Sequence, residues 1–229
     1  MEQLETVNII ISMQHLKSKD REEAMTKGKR YDKMTSNPQS DVLNFFENYQ
    51  ENMKHMQSRV KVLNPLNVYD LGCGTGNLVG PLSQFYNVIG IDISKEMLEE
   101  LKQKFPEVVC VESSVIEWLR KTEFTDQDVL VSSFVLHGIK NKKDFFTSIN
   151  KALRSGAQVL IMDYMFEDPS SRRKFVQKLV SEEEHGLVDL INSKEYMLID
   201  QVKKWCLDNS VLIDVTQHTR WIYTIHLSQ

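Results

Sequence analysis

The chain has 229 residues, 41% of them hydrophobic and 26% charged, with a net charge of −4. These values fit one α/β domain with additions and leave no general field to draw in nucleic acid or an anionic membrane. No run of eighteen apolar residues occurs, so no membrane span is expected, and three widely spaced cysteines (Cys73, Cys110, Cys206) form neither a disulfide framework nor a zinc pair, which points to the cytoplasm.

Residues 1–64 read as a helical leader. The start, Met1-Glu2-Gln3-Leu4-Glu5, lacks the basic opening of an export signal. Leu4, Val7, Ile10 and Ile11 mark a weakly amphipathic helix, a charged turn runs from Lys17 to Arg30, and a break falls at Asn37-Pro38. A longer helix then starts at a Ser40 cap and carries Val42, Leu43, Phe46, Tyr49, Met53, Met56 and Val60 on one side. From Asn67 the rhythm becomes strand, helix, strand, helix. Strands are predicted at 67–71, 87–91, 108–111, 128–133 and 157–163, and helices at 77–85, 95–104, 114–120 and 142–153, the last stopped by Gly156. Such alternation predicts a parallel sheet with helices on both faces. Pro169 to Leu190 reads as one or two charged helices and Asp200 to Asn209 as another, an insertion at about 168–200. Val211–Thr216 and Arg220–Leu227 then read as a closing strand pair joined by Gln217-His218-Thr219. The expected division is 1–64 for the leader and 65–229 for the α/β domain.

The densest chemistry lies between the first strand and its helix, at Asp70-Leu71-Gly72-Cys73-Gly74-Thr75-Gly76-Asn77. A glycine-rich turn that leaves a buried strand lets backbone N–H groups approach a nucleotide-type ligand closely. The dinucleotide fingerprint G-x-G-x-x-G would put its third glycine at position 77, which is Asn77. The glycines run 72, 74, 76 instead, behind an acid at the strand end. A second acid, Asp92, ends the next strand sixteen positions after Gly76. It can accept hydrogen bonds from ribose hydroxyls, or cap the following helix, a task that Ser94 could take over. Cys73 has no base placed beside it by sequence and reads as a small residue tolerated in a tight loop.

Taken together, Asp70, the three glycines and Asp92 resemble the first motif of the class I S-adenosylmethionine-dependent methyltransferases, in particular the small-molecule type that includes ubiquinone/menaquinone-like and related small bacterial enzymes. The resemblance covers residues 68–164 well and 28–227 loosely. It implies a seven-stranded Rossmann-like sheet, mostly parallel with an antiparallel C-terminal hairpin, and an N-terminal helical lid. It also implies S-adenosylmethionine as cofactor, with Asp70 helping to hold the methionine moiety. Asp128-Val129-Leu130-Val131-Ser132-Ser133-Phe134-Val135-Leu136-His137-Gly138-Ile139 is similar to the stretch after strand four that faces the methyl acceptor in that family, with Gly138 in place of a second histidine. Ser114 stands where the family usually has an acid for the adenine amino group, and the N–H of Val115 could donate to adenine; either Ser113 or Ser114 could equally cap a helix. Tyr31, in Tyr31-Asp32, matches a lid tyrosine. Implied cofactor contacts are therefore Tyr31, Asp70, Gly72, Cys73, Gly74, Gly76, Asn77, Asp92, its neighbour Ile93, Ser114, Val115, Ser133 and Phe134.

On the acceptor side His137 is the residue best suited to act as base or orienting donor, followed by Tyr164, Glu184 and His185. No Asn/Asp-Pro-Pro-Tyr motif is present, which favours a small-molecule acceptor over nucleic acid. No metal is expected, and the chain is expected to act as a monomer or homodimer. Two other readings stay open at this point: a non-catalytic module that binds S-adenosylmethionine, and an NAD-linked oxidoreductase, against which Asn77 and Asp70 argue.

Overall fold

The structure, a computed structural model, describes residues 48–229. The predicted first helix, the Ser40 cap and Tyr31 lie outside the described residues. The elements run α1 (Tyr49–Leu63), β1 (Asn67–Leu71), a 3-10 turn (Gly80–Leu82), β2 (Asn87–Asp92), α2 (Lys95–Lys104), β3 (Val109–Glu112), α3 (Val115–Lys121) and β4 (Asp128–Ser133). A second 3-10 turn (Leu136–Gly138) leads to α4 (Lys142–Arg154), β5 (Gln158–Phe166), α5 (Pro169–Ser181), α6 (His185–Ser193), β6 (Met197–Leu198), α7 (Ile199–Asn209), β7 (Leu212–Gln217) and β8 (Ile222–Ser228).

The sheet has the order β3-β2-β1-β4-β5-β8-β7, with β6 beside the end of β5. Strands β1 to β5 are parallel, and β8 runs antiparallel to both β5 and β7. The core lies on both faces. On one, Met53, Met56 and Val60 of α1 and Leu98 and Leu101 of α2 cover Val68, Leu160 and Met162. On the other, Leu119 of α3, Phe145 and Ile149 of α4 and Val202 of α7 cover Val159 and Ile161. Strand β5 thus alternates between the two cores while staying buried throughout, as a central strand covered on both sides must.

Local chemistry sets the element ends. Ser94 caps α2, its side chain accepting from the N–H of Met97; Asp168 and Ser171 form a capping box at α5, with Pro169 in the first turn. The seven-stranded, mostly parallel sheet with a C-terminal hairpin is present, and β6 adds an eighth strand. Three expectations need correction. The helix predicted at 77–85 is only the 3-10 turn Gly80–Leu82. There Phe105 packs so closely on Gly80 that a Cβ would overlap its ring, and Pro81 withholds a backbone donor. Strand β3 sits one residue later than predicted, and β5 runs three residues further, to Phe166. The two-residue β6 was not foreseen. Among the described residues no helix is long and apolar enough to cross a membrane.

Candidate active site

Strand order reverses between β1 and β4, because β2 and β3 lie to one side and β4, β5, β8 and β7 to the other. Ligands of open parallel sheets bind beyond the carboxyl ends of strands at such a point. Of the predicted residues, those in the loops after β1, β2, β3 and β4 lie at that edge, while Tyr31 lies outside the described residues and Glu184 and His185 belong to α6.

The loop after β1 folds through left-handed glycines: Gly72, Gly74 and Gly76 have φ of 84°, 52° and 83°. At Gly72 a side chain is excluded twice over, by this φ and by Val135, which occupies the space of a Cβ. Asp92 ties the loop down. Its Oδ2 accepts from the N–H of Gly74 at 2.9 Å and its Oδ1 from the N–H of Ser94 at 2.8 Å. Since the Ser94 side chain caps α2, Asp92 is not the helix cap.

Asp70 is 1% exposed, and neither of its carboxyl oxygens has a hydrogen-bond partner. Burial, and then the charge of Asp92, raise its pKa to about 8. A buried carboxyl without a partner at the foot of a glycine loop fits a ligand that brings its own cation, and the ammonium of a methionine moiety is one. Cys73 is buried beneath the loop, and burial pushes its thiol far above the ordinary range, so it is no nucleophile. Ser114 caps α3, accepting from the N–H of Glu117 at 3.3 Å. Ile93, next to Asp92, is an exposed apolar side chain.

Beyond β4, Phe134 takes φ 57°, a conformation costly for a bulky residue, with its N–H on the carbonyl of Met162 at 2.9 Å. Its ring packs against those of Tyr49, at 5.8 Å and 25°, and Tyr164, at 4.9 Å and 40°. The Asn77 side chain reaches the Tyr49 hydroxyl at 3.5 Å, and Gln57 of α1 donates to the carbonyl of Leu78 at 3.0 Å. Helix α1 is therefore fastened to the glycine loop.

His137 pairs with Asp163, which lies within β5. Its Nδ1 lies 2.7 Å from Oδ1 and its backbone N–H donates to Oδ2 at 3.2 Å. The N–H of Tyr164 also donates to Asp163, at 2.7 Å. Because a carboxylate only accepts, this contact puts the proton of the neutral imidazole on Nδ1 and the lone pair on Nε2. Tyr196 stacks on His137 with centroids 6.1 Å apart and planes 21° apart. Glu184 and His185 are exposed at the start of α6. Asp163, Tyr49 and Tyr196 are the site residues that sequence reasoning missed. Among the described residues, no group of three or more His, Cys, Asp or Glu side chains could hold a metal ion.

Residues 69–161 match the family described as the methyltransferase domain. An uncharacterized methyltransferase of Alkaliphilus oremlandii is 22% identical over 198 residues, 85% of this chain and 90% of that protein. A tRNA N(3)-methylcytidine methyltransferase of Drosophila melanogaster is 33% identical over 116 residues, 45% of this chain and only 36% of that protein. Among solved structures, a magnesium protoporphyrin IX methyltransferase from Synechocystis PCC 6803 with bound SAH superposes with a TM-score of 0.62 at 16% identity, over 96% of this chain and 98% of that one. That likeness is one of fold.

Proposed function

We propose that this chain, whose residues 69–161 match the methyltransferase domain family, is a class I S-adenosylmethionine-dependent methyltransferase that methylates a small molecule at an atom that must lose a proton, with His137 as the base and Asp163 as its orienting partner. The observation that carries this reading is the 2.7 Å contact of the partly buried His137 with the buried Asp163 at the carboxyl edge of the sheet. The cofactor, S-adenosylmethionine, supplies a methyl group on a sulfonium, which leaves without its bonding electrons. The protein's own task is to bind, align and deprotonate, and alignment of this kind lowers barriers by about 7–11 kcal/mol.

In this reading Asp70 meets the ammonium of the methionine moiety, Gly72, Cys73, Gly74, Gly76 and Asn77 supply the loop beneath it, and Asp92 receives the ribose hydroxyls alongside its two loop bonds. Ile93, Ser114 and Val115 flank the adenine, and Ser133 and Phe134 the methionine end. The acceptor's lone pair forms the new bond to carbon while its proton passes to Nε2 of His137. Net charge of −4 supports a small acceptor over nucleic acid. The thiols of Cys73, Cys110 and Cys206 are unpaired, which suits the cytoplasm.

The test is turnover against a metabolite panel, scored as S-adenosylhomocysteine formed. For an acceptor so found, His137→Ala should lower kcat by about 10²–10⁴-fold while the dissociation constant for S-adenosylmethionine stays within about twofold. Asp163→Asn should lower kcat in the same direction. Unchanged kcat in both variants would leave the pair a structural contact, and absence of turnover with retained cofactor binding would favour a regulatory, non-catalytic role.

A further inference from the structure

Helices α4 and α7 cover the sheet face opposite α1, and they do not close on each other along their whole length. Toward their C-terminal ends Asn150 of α4 donates to Asn209 of α7 at 2.8 Å and ties the pair together. Toward their N-terminal ends a groove of about 430 Å³ opens between them, within the size range of small-molecule sites. Its apolar lining is Phe146, Met197, Val202 and Trp205. Phe146 and Val202 are buried, at 5% and 0% exposure, in the core on this face, whereas Tyr164 and Tyr196, which pack on His137, belong to the core on the other. The sheet therefore separates the groove from the rings beside the proposed base. Trp205 rests against Phe146, with centroids 5.0 Å apart and planes at 56°, and is only half-buried. A large flat side chain left partly wet in a groove offers its surface to another flat ring.

The charge of the groove has one sign. No acidic side chain lines it, and Lys142 and Lys143 do. Lys143 is exposed, but the side chain of Lys142 is only 15% exposed. The Lys142 Nζ donates to the carbonyl of Ile139 at 2.8 Å, and its ion-pair partner Glu195 stands 4.0 Å away on a side chain that is 85% exposed. An ammonium has three donors, and here one short bond and one loose ion pair serve a largely buried charge. Burial accordingly holds the Lys142 pKa below the ordinary lysine value, against the pull of Glu195 and Asp163. A carboxylate entering the groove would supply the missing close partner. We infer that the groove between α4 and α7 binds an anionic aromatic small molecule, its ring on Trp205 and its carboxylate at Lys142 and Lys143. The inference is independent of where the methyl donor binds.

Calorimetric titration of the full chain with naphthoate, and with the neutral naphthylmethanol as its uncharged counterpart, tests this. Naphthoate should bind at one site and more tightly than the alcohol. Lys143→Glu, at an exposed position that folding tolerates, should weaken naphthoate by about three- to tenfold and the alcohol by less than about twofold. Trp205→Leu should weaken both by about tenfold, since it removes the ring they share. Saturating S-adenosylhomocysteine should leave the naphthoate affinity within about twofold. Absence of naphthoate binding at millimolar concentration, equal affinity for acid and alcohol, indifference to both substitutions, or displacement by S-adenosylhomocysteine would each overturn the inference. So would sedimentation showing a dimer that Lys143→Glu and Trp205→Leu dissociate, because a second copy of the chain would then fill the groove.

Discussion

A carboxyl group with a pKa of about 8 is a liability in a folded protein, and Asp70 is such a group. In the unfolded chain it ionises near the ordinary aspartate value of about 4. Between about pH 4 and pH 8 the folded state therefore holds a proton that the unfolded state has released, and stability falls as pH rises through that window. Asp70→Asn removes this cost. Its thermal midpoint should exceed that of the unaltered protein, by more at pH 8 than at pH 5, while its affinity for S-adenosylmethionine falls. A cation seated on Asp70 also ionises it, so binding near pH 7 should release a proton. Calorimetric enthalpies measured in buffers of different ionisation enthalpy should differ for the unaltered protein and coincide for Asp70→Asn. Coincidence in both proteins would mean that the cofactor does not engage this carboxyl. The residues of this loop were legible because their constraint is local: left-handed glycines and strand-end acids occur at fixed spacing. The partner of His137 was not legible, since Asp163 lies 26 positions away on another strand and only the β4–β5 register brings them together.

At the scale of elements, strand alternation and caps were readable, and two features set by tertiary contact were not. The stretch 77–85 has a helical apolar pattern, but Phe105 packs on Gly80 and Pro81 breaks the ladder. Strand β6 is two residues long and exists only because β5 offers an edge at Met165–Phe166. Helix α1 was foreseen, though not its fastening, which is a cluster of histidines against the β7–β8 hairpin. Arg59 donates to Asp214 at 2.8 Å and to Nδ1 of His226 at 3.0 Å. A guanidinium has no lone pair, so Nδ1 accepts and His226 is neutral, with Nε2 donating to Gln158 at 2.8 Å. His55 of α1 meets His218 edge-on at 4.6 Å, and His218 bonds Thr224 at 2.8 Å. Burial lowers the pKa of all three; Arg59 lowers His55 and His226 further against the pull of Asp214, and His55 helps bring His218 to about 4. A histidine with a depressed folded-state pKa is protonated first in the unfolded chain, so this contact stabilises fully above about pH 6.5 and loses its contribution as pH falls toward 4. The thermal midpoint of the unaltered protein, measured relative to that of His218→Asn, which keeps a donor for Thr224, should fall across that window, the opposite trend from Asp70 being common to both. An identical slope in the variant would remove the cluster as the source.

For the whole molecule, the switch point between β1 and β4 concentrates every contact proposed for cofactor and acceptor at one edge of the sheet. The β7–β8 hairpin lies at the β7 end of the strand order, where β8 pairs with β5 and Asp214 of β7 bonds Arg59 of α1. A ligand that binds the folded state stabilises it, and the segments it orders lose the local openings through which amides exchange. Hydrogen exchange with saturating S-adenosylhomocysteine should therefore slow most in 71–78, 92–94, 113–115 and 134–138. Helix α1 should follow to a lesser degree, since Gln57 and Tyr49 hold it to the glycine loop. Strand β7 should change least, because it pairs with no strand but β8 and shares no loop with the switch point. Protection centred on 212–228 instead would place the cofactor away from the switch point, and with it the acceptor side, because His137, in the turn after β4, and Asp163, within β5, reach the donor only across that same edge.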